Sequence, residues 1–528
     1  MLSRRNLDLA ALVAALAGSR FVFRSRYLYD LDSVNFALAL RRFDPSVHQP
    51  HPPGYFLYVW MGRLLNLVFH DANLSLVLLS IGASCGAGIV IYRMALAWFG
   101  LAEARFAALV FLFSPLAWFH GTVALTYSVE AFFSALTGYL CWRMVEGSAG
   151  SAWAAGFVLG LSAGVRPSSL VLLAPLFLFS LRKAPKGAKS AAAALLLTIA
   201  AWFPAMLAAS GGWRRYFDAL LSLWRVVPSR TTVFNSSPAN SIARALTILL
   251  IALLFAGVSA LAPLAAVGRS CAGDPEKKSF TLFWTAPALC FFTFVYLKFV
   301  NSGYLLLLAA PFCLWLGRWL ALWHTGNRWP RAAKVAILAA GAAVNSAIFL
   351  AAPFYCSYRS VRRFEGQLGR IRAALPRVAG ADDTLIVGFD SHFLGYRHAG
   401  YYLPGYLTLQ YPEVNLVGGA RVFAMQDGQT RLLASLPLDR YRRFVFFPLP
   451  GGKADYRQYL EQVESKLPGG VLRVSQAGGY AFVTGPVSIL PLLFPETAPK
   501  PAAGVYMALH PEHPAVNNRA HSIDPERP

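Results

Sequence analysis

The segments Tyr29-Asp30-Leu31-Asp32-Ser33 and His48-Gln49-Pro50-His51-Pro52-Pro53-Gly54-Tyr55 decide the interpretation of this chain. Residues 33–43, which lie between them, have the spacing of an amphipathic helix, and we expect this helix to lie on a membrane surface. The prolines and the glycine of the second segment fix an irregular, extended backbone. We therefore expect the acids and the histidines to be held near the membrane surface.

The composition shows why a membrane is expected. The chain has 528 residues, of which 56% are hydrophobic and only 14% are charged, whereas soluble domains are about 25% charged. The net charge of +23 comes from short basic clusters between apolar runs, as the positive-inside rule describes, and not from one continuous patch. The sequence predicts a polytopic protein whose partners include membrane lipids and no nucleic acid.

Apolar runs near the length of a spanning helix predict about eleven crossings. Residues 54–69 are apolar but short and contain Arg63, so we expect that they do not cross. The basic clusters then share one side, which places the amino terminus inside and residues 24–73, 210–241 and everything after 352 outside. The arginines of 210–241 do not fit this rule, but a twelve-helix alternative breaks it at most loops. The runs are 7–23, 74–92, 105–119, 123–143, 151–181 (two helices, broken at Arg166-Pro167), 190–209, 242–267, 279–299, 303–323 and 335–352.

From residue 356 the pattern changes to that of a soluble domain with short strands and helices. We predict an all-α polytopic membrane domain over 1–355, followed by a small extracytoplasmic α/β domain over 356–494. Residues 495–528 lack periodicity and are predicted to be disordered. The predicted elements of the second domain include the strands Thr384–Phe389, Arg443–Phe447, Val471–Val474 and Tyr480–Thr484 and the helix Tyr456–Leu467.

Acidic side chains are scarce in the membrane part, so each one is a candidate for function. Asp30 and Asp32 follow the first helix on its outer side; in the alternative interpretation, Asp32 caps a helix that starts at Ser33 and Asp30 is solvated. Glu130 lies about one turn into an apolar helix, where a carboxylate is costly and is usually functional or paired. Its alternative role is a structural ion pair with an arginine such as Arg166.

Basic and polar side chains at the outer boundary are candidates for binding. Arg166 closes the segment Gly160–Pro167, and a second cluster starts at Lys298. Each of these side chains could be a snorkelling anchor, but together they describe cations and acids that face one external cavity. His51 has the alternative role of a hydrogen-bonding partner within its loop. The candidate substrate-binding residues are His48, His51, Arg166, Lys298, Asn301 and Tyr304.

Other signals are weaker. Asp390-Ser391-His392 contains the residue types of a catalytic triad, but adjacent residues do not form one, so we interpret this segment as loop structure. His120 follows Trp118-Phe119 and is interpreted as interfacial. No CxxC, GxGxxG, P-loop or HExxH motif occurs, so no cofactor is predicted. A divalent metal ion is the one cofactor left open, although no motif supports it.

An acid after the first helix, a surface helix and a His-Pro-Pro turn together resemble the GT-C superfamily of integral-membrane glycosyltransferases. Asp32-Ser33 and His51-Pro52-Pro53-Gly54-Tyr55-Phe56-Leu57-Tyr58 are most similar to the bacterial group of protein O-mannosyltransferase-like, lipopolysaccharide sugar and aminoarabinose transferases. Further matches are Ser114-Pro115, Gly160–Pro167 and Gly303-Tyr304 ahead of Pro311. The resemblance covers about residues 1–352.

The resemblance implies transfer of a sugar from a polyprenyl-phosphate donor to a hydroxyl acceptor, which is a protein, a glycolipid or a glycan. It also implies that the enzyme lies in the inner membrane of a bacterium and that the transfer takes place outside the cytoplasm. Asp32 matches the acid of the first loop that serves as base or orients the acceptor. Some members of the family have Asp-Glu at this point, whereas this chain has Asp32-Ser33. Asp30 supplies a second acid two residues earlier, so the choice between Asp30 and Asp32 as the base stays open. Asp32, Asp30 and Glu130 are the candidate catalytic residues.

One-step inverting displacement fits these residues. A phosphate leaving group needs cations and no protonation, so one carboxylate suffices to take the proton of the acceptor. Arg166, Lys298 and His51 would stabilise the phosphate charge. Two other classes of function remain: a transporter or flippase, which needs access from both faces, and a non-catalytic factor in envelope polysaccharide assembly, which needs neither Asp32 nor Glu130.

The topology is testable with reporter fusions. We expect fusions at Gly380 and Asp274 to report opposite sides of the membrane, external and cytoplasmic respectively, because the basic clusters fix the orientation. Paired alkaline phosphatase and green fluorescent protein fusions measure this. A fluorescent, phosphatase-inactive fusion at Gly380 would contradict the eleven-helix arrangement.

Overall fold

A computed structural model describes residues 4–148, 150–226, 232–234, 237–265, 274–326, 328–448, 461 and 463–497. Its membrane part is helical throughout, apart from the connecting loops. The α-helices in chain order are α1 (Arg4–Val22), α2 (Leu31–Arg41), α3 (Phe56–Phe69), α4 (Ala72–Trp98), α5 (Leu101–Leu112), α6 (Pro115–His120), α7 (Tyr127–Val145), α8 (Ser151–Val165), α9 (Pro167–Lys183), α10 (Pro185–Ala209), α11 (Trp213–Val226), α12 (Pro238–Ala256), α13 (Ala262–Ala265), α14 (Pro275–Phe294), α15 (Ala309–Gly326) and α16 (Arg331–Ala351). The 3-10 helices of this part are Pro45–Val47, Gly257–Leu261 and Phe299–Leu308.

The helices make this a multi-pass membrane protein. Among the described residues, five helical segments are long and apolar enough to cross a membrane, two of which join an α-helix to a 3-10 helix: Ala72–Trp98, Pro185–Ala209, Pro238–Leu261, Phe299–Gly326 and Arg331–Ala351. Helix α3 has only 14 residues, which is shorter than a bilayer requires. The predicted break at Arg166-Pro167 is confirmed, because α8 ends at Val165 and α9 begins at Pro167. The count of eleven crossings stays a prediction.

Small residues let α8 approach its neighbours closely. Gly156, Gly160 and Gly164 recur every four residues and therefore share one face of α8. A Cβ atom at Gly156 would overlap the carbonyl oxygen of Ala191 in α10, and one at Gly160 would lie 2.7 Å from Thr198 Cβ. Close backbone approach of this kind supplies van der Waals packing between helices where lipid supplies no hydrophobic drive.

Helix α11 carries three of the arginines that did not fit the charge rule, Arg214, Arg215 and Arg225, whereas Arg230 lies outside the described residues. Its apolar side chains recur at helical spacing and stay exposed, with Trp213 62% and Trp224 50% accessible. On the opposite side, Arg215 Nη2 lies 2.7 Å from Asp44 Oδ2, and the Tyr216 hydroxyl donates to the Pro53 carbonyl at 2.9 Å. An amphipathic helix with interfacial tryptophans suits the membrane surface, where arginine is tolerated.

The carboxyl-terminal region is a small α/β unit, as predicted. Its sheet has the strand order β3-β4-β2-β1-β6-β8-β7, with β5 paired to β4. The central strand β1 is parallel to β2 and β6, and the other pairs are antiparallel. The elements are α17 (Tyr358–Val378), β1 (Thr384–Phe389), α18 (Tyr396–Tyr402), β2 (Thr408–Tyr411), β3 (Val414–Leu416), β4 (Gly419–Gln426), β5 (Gln429–Leu433), β6 (Arg443–Phe446), β7 (Arg473–Ala477), β8 (Tyr480–Pro486), a 3-10 helix (Val487–Ile489) and α19 (Leu490–Leu493).

The predicted strands correspond to β1, β6, β7 and β8, although β7 begins two residues later than expected. Half of the predicted helix Tyr456–Leu467, namely 456–460 and 462, lies outside the described residues. The same holds for 498–528 of the predicted disordered tail. The last described residue, Thr497, donates its hydroxyl to Glu413 Oε2 at 2.8 Å.

Helix α2 is enclosed rather than laid on a membrane surface. Residues Ser33–Leu40 are all buried, because α2 packs against α3 and α4 on the membrane side and against α18 of the α/β unit. The prediction of a helix here is confirmed, but the environment predicted for it is wrong. Its apolar side chains meet protein on both sides, which a pattern in residues 33–43 alone does not reveal.

The α/β unit also bonds directly to the loops on either side of α2. Backbone N–H groups of Arg26 and Leu28 donate to Glu365 Oε1 at 2.6 Å and to the Tyr402 hydroxyl at 2.8 Å. Further along, Arg397 Nη2 donates to the Val47 carbonyl at 2.8 Å. Hydrogen bonds to the α/β unit therefore hold the loops that carry the candidate acids and histidines.

Because α8 and α10 approach each other closely, we expect that a larger side chain at their contact destabilises the protein. Replacing Gly156 by Val should destabilise the protein by about 1–3 kcal/mol, because overpacking displaces two backbones. Thermal unfolding in detergent, followed by circular dichroism, measures this. Gly18→Val is the matched control, since a Cβ atom at Gly18 meets nothing within 4 Å. Equal melting temperatures for the two variants would contradict the packing described.

Candidate active site

Asp32 and His51 face each other in the first external loop. Asp32 lies in the first turn of α2, and His51 belongs to the proline-rich loop before α3. His51 Nδ1 is 3.1 Å from Asp32 Oδ1, and His51 Nε2 is 2.9 Å from the Tyr55 hydroxyl. The Asp32 side chain is 23% exposed and that of His51 is 19% exposed. The contact is thus both ordered and open to a substrate.

The environment keeps Asp32 ionised. Burial raises the pKa of this carboxyl, but its interaction with His51, helped by the charges of His392 and Arg166, outweighs burial. The pKa of Asp32 therefore lies below its ordinary value. The imidazole of His51 lies between two side chains, since Nδ1 faces the Asp32 carboxylate and Nε2 is within hydrogen-bonding distance of the Tyr55 hydroxyl.

Strained backbone holds this loop. His48 and Tyr55 both have left-handed φ values, of 56° and 49°, which cost free energy for residues other than glycine. They lie at the two ends of the segment that contains His51. The segment also carries the bond from the Tyr216 hydroxyl to Pro53, so its shape is set by neighbours on several sides.

Asp30, and not Asp32, caps α2. Asp30 has extended backbone angles, and its Oδ1 accepts from the Asp32 N–H at 2.9 Å. The helix consequently begins at Leu31, and the alternative in which Asp32 caps a helix starting at Ser33 is wrong. Capping by Asp30 frees the Asp32 carboxylate for its contact with His51. Burial raises the pKa of Asp30, and the interaction with His392 opposes this.

His392 reaches this loop from the α/β unit. Its Nδ1 is 3.7 Å from Asp30 Oδ2, and its carbonyl accepts from the Leu31 N–H at 2.8 Å. Burial lowers the pKa of His392, but Asp30, Asp32 and Asp390 together raise it to about 9. The imidazole is therefore a cation at neutral pH. Residues 390–392 are loop structure, as interpreted, but no local pattern connects His392 with Asp30.

Glu130 and Arg166 form a buried ion pair. Arg166 Nη1 lies 2.9 Å from Glu130 Oε2, and the two side chains are only 4% and 2% exposed. The Ser169 hydroxyl donates to Glu130 Oε1 at 2.9 Å, so both carboxylate oxygens have a partner. The pair joins α7 to the junction of α8 and α9. The alternative role that the sequence left open for Glu130, a pair with Arg166, is what the structure shows.

Aromatic rings surround the Arg166 guanidinium. Its central carbon lies 4.0 Å from the ring centre of Tyr304, 5.1 Å from that of Tyr127 and 5.8 Å from that of Tyr55. These distances are in the range of cation–π attraction. Arg166 thus links α3, α7 and the 3-10 helix Phe299–Leu308, and Tyr55 connects it to His51.

The remaining candidates are less closely grouped. Lys298 is exposed just before the 3-10 helix. Asn301 Oδ1 accepts from the Tyr296 hydroxyl at 3.0 Å. The His48 ring packs 4.9 Å from the ring of Phe423 in the α/β unit. The structure therefore brings Asp32, His51, Arg166 and Tyr304 together through the rings of Tyr55 and Tyr127, and turns His48 toward the α/β unit.

Sequence reasoning missed Tyr55, Tyr127, Ser169 and His392 as parts of this arrangement. Tyr55 ends the proline-rich segment and Ser169 follows Arg166 by three residues, so spacing offered a signal for both. His392 belongs to the segment Asp390-Ser391-His392, which was interpreted as loop structure, and no local pattern connects it with Asp30. Within the described ranges, no group of three or more His, Cys, Asp or Glu side chains is placed to hold a metal ion.

Residues 45–189 match the family model of the protein O-mannosyl-transferase TMEM260 N-terminal domain. This range carries His51, Glu130 and Arg166. The match covers less than half of the chain, and it agrees with the resemblance to protein O-mannosyltransferase-like proteins that the sequence predicted. No curated protein sequence is significantly similar to the chain.

Three of the solved structures to which the chain is similar come from two proteins. ArnT from Cupriavidus metallidurans in the apo state has a TM-score of 0.41 and 12% identity, over 91% of this chain and 97% of that one. The same protein bound to undecaprenyl phosphate has a TM-score of 0.41 and 11% identity, over 90% and 97%. The apo oligosaccharyltransferase of Archaeoglobus fulgidus has a TM-score of 0.44 and 14% identity, over 77% of this chain and 64% of that one, which is less than two thirds of its length.

The buried ion pair should show strong energetic coupling. Arg166→Met leaves a buried carboxylate, and Glu130→Gln leaves a buried cation, so each change should cost about 3–5 kcal/mol of stability. The double variant should cost less than the sum by about 0.5–3 kcal/mol. Thermal unfolding of the four proteins in detergent measures this cycle. Additive effects would show that the two side chains do not depend on each other.

Proposed function

We propose that the protein transfers a sugar from a polyprenyl-phosphate carrier to a hydroxyl acceptor on the outer side of the membrane, with Asp32 as the base. The acceptor oxygen forms a bond to the anomeric carbon while the bond from that carbon to the phosphate oxygen breaks. The phosphate leaves with the electron pair, and the hydroxyl proton passes to Asp32. The anomeric configuration inverts in this single displacement.

The observation that supports this proposal most directly is that the Asp32 carboxylate is partly exposed and ionised. It is the carboxylate that faces outward, since Asp30 serves as the helix cap and Glu130 is enclosed with Arg166. Its lowered pKa keeps it unprotonated and ready to accept a hydrogen bond from an alcohol. The match of residues 45–189 to an O-mannosyl-transferase domain supports the same class of reaction.

In this proposal, His51 and Tyr55 orient the Asp32 carboxylate. Nδ1 of His51 contacts the carboxylate, and the Tyr55 hydroxyl fixes the imidazole through Nε2. Such a chain limits the rotamers of Asp32 and reduces the reorganisation required when its charge changes. His48 supports the loop from the α/β side through its contact with Phe423, which makes it a positioning residue.

The cations divide into two roles. Arg166 is neutralised by Glu130 and enclosed by Tyr304, Tyr127 and Tyr55, so we assign it to holding these rings in place. Lys298 is exposed, and the Asn301 N–H donates to its carbonyl at 2.9 Å, so Lys298 stands at the start of the 3-10 helix that carries Asn301 and Tyr304. Lys298 is therefore the cation proposed to contact the carrier phosphate.

The location follows from the same arrangement. The predicted topology places both Asp32 and the α/β unit outside the cytoplasm, in the inner membrane of a bacterium. A polyprenyl chain would lie between helices at the outer boundary, and its phosphate would meet the site from the membrane. The acceptor, whether a protein, a glycolipid or a glycan, would approach from the aqueous side.

Asp32→Asn tests the base. We expect a folded protein whose transfer rate falls by about 10²-fold or more, because the amide cannot take the hydroxyl proton. The assay measures labelled sugar released from undecaprenyl-phosphate sugars by the purified protein in nanodiscs. Asp71→Asn is the matched control: Asp71 accepts from the Leu74 N–H at 2.8 Å and caps α4, and asparagine caps nearly as well.

Two outcomes would contradict the assignment. Near-normal transfer by Asp32→Asn, with loss of transfer in Asp30→Asn or Glu130→Gln proteins that stay folded, would show that another acid is the base. Transfer by all three variants would exclude the mechanism. Movement of intact sugar-linked carrier across vesicle membranes without transfer would instead support a flippase.

A further inference from the structure

We propose that a cluster of arginines, at the point where α1, α16 and α17 meet, binds the phosphate headgroups of anionic membrane lipids. The cluster consists of Arg24, Arg359 and Arg363, and we call it the boundary cluster. It lies on the side of the membrane that carries the α/β unit, because α17 belongs to that unit. The proposal concerns a lipid partner and does not depend on the transfer reaction.

The arginines of α17 form a stripe along one face of the helix. The opposite face, which includes Phe364, is buried, because α17 packs against β7 and β8 of the α/β unit. Members of the stripe follow one another at intervals of four, seven and seven residues and therefore lie within about 40° around the helix axis. All of them are exposed: Arg359, Arg363, Arg370 and Arg377.

The first turn of α17 lies at the end of a helix that is long enough to span the membrane. Helix α16 ends at Ala351, and Arg359 Nη1 reaches the Ala351 carbonyl at 3.5 Å. Arg363 lies one turn further along α17, about 6 Å from Arg359 along the helix axis. Both arginines are thus close to the level at which the apolar part of α16 ends.

Helix α1 ends at the same level. The ring of Phe23, which follows α1, lies 5.8 Å from the ring of Phe349 in α16 and 5.0 Å from that of Tyr358 in α17. Arg24 comes directly after Phe23 in the chain, and Arg359 comes directly after Tyr358. The aromatic contact therefore brings the two arginines to one junction of three helices.

Lipid-facing side chains come directly before Arg24. Phe21 and Val22 at the end of α1 are apolar and exposed, which is how a membrane helix meets acyl chains. The Arg24 guanidinium lies 4.0 Å from the ring centre of Phe21, and its Nη1 donates to the Phe21 carbonyl at 2.8 Å. An arginine held at the end of such a surface lies at the height of the lipid headgroups.

Little negative charge offsets the boundary cluster. Glu365 is the one acid in the sequence of α17; it is buried and pairs with Arg362. Across the part of the chain that the structure describes, none of the three arginines of the cluster forms an ion pair. Guanidinium groups bind phosphate through two parallel N–H bonds, so the headgroup of an anionic lipid complements this surface in both charge and geometry.

Headgroups bound at the boundary cluster fix the α/β unit to the bilayer. Phe364, which follows Arg363, has its ring 5.3 Å from that of Tyr29, and Tyr29 directly precedes Asp30. The cluster therefore attaches the α/β unit to the membrane next to the contact that this unit makes with the first external loop.

Photo-crosslinking of the full chain in nanodiscs tests this proposal. Val22→p-benzoylphenylalanine places the crosslinker at an exposed position two residues before Arg24, and mass spectrometry identifies the attached lipids. The nanodiscs contain equal parts of phosphatidylglycerol and phosphatidylcholine with the same acyl chains. We expect phosphatidylglycerol adducts to exceed phosphatidylcholine adducts about fivefold or more, which is the effect of a single arginine near an anionic lipid.

Variants of the cluster show which charges are responsible. Arg359→Gln combined with Arg363→Gln should lower the adduct ratio by about fivefold, whereas Arg359→Lys with Arg363→Lys should keep most of it, because the charge stays. The matched control is Arg440→Gln with Arg442→Gln, which removes the same charge from exposed positions before β6 and should leave the ratio unchanged. A crosslinker at Leu67, exposed in the last turn of α3, should report the composition of the bulk lipid.

Several results would overturn the proposal. Equal adducts of the two lipids at Val22 in the wild-type background would do so, and so would an unchanged ratio in the variant that lacks both α17 arginines. An equal loss in the Arg440 and Arg442 control would show that net charge, and not the cluster, selects the lipid. A ratio that does not fall at high salt would also contradict an electrostatic contact. Binding of a soluble acidic peptide, with no preference between the lipids, would assign the cluster to a protein partner instead.

Discussion

The buried ion pair of Glu130 and Arg166 is the interaction on which the rest of the site depends. Desolvating two charges costs several kcal/mol per ion unless geometry and further hydrogen bonds offset it. Here the second carboxylate oxygen is bonded to Ser169, and the guanidinium meets three tyrosine rings. One cation thereby fixes α3, α7, the junction of α8 and α9, and the 3-10 helix that carries Asn301. Of these rings, Tyr55 also contacts His51, which faces Asp32.

The α/β unit supplies the second constraint. It binds the backbone of the first external loop at Arg26, Leu28 and Val47 and brings His392 to Asp30. A loop enclosed on the membrane side by α3 and α4 and on the other side by α18 has little freedom. This explains how a strained, proline-rich segment holds His51 at 3.1 Å from Asp32. Preorganisation of this kind is what positioning contributes to catalysis.

Local patterns predicted part of this arrangement. The break at Arg166-Pro167, the strands of the α/β unit and the grouping of Asp32 with His51 follow from proline, alternation and loop chemistry. The cap at Asp30 differs from the predicted one because a helix start depends on backbone angles that two nearby acids leave ambiguous. The burial of α2 and the approach of His392 could not be predicted, since both depend on contacts with residues more than 300 positions away in the chain.

The central claim is a single displacement assisted by one ionised carboxylate, and the stereochemistry of the product tests it most directly. Nuclear magnetic resonance of the product formed from a donor of known anomeric configuration gives the answer. The account predicts an inverted configuration at the anomeric carbon, because the acceptor attacks opposite to the leaving phosphate. A product with retained configuration would require a covalent intermediate and a second displacement, and it would contradict the role given to Asp32.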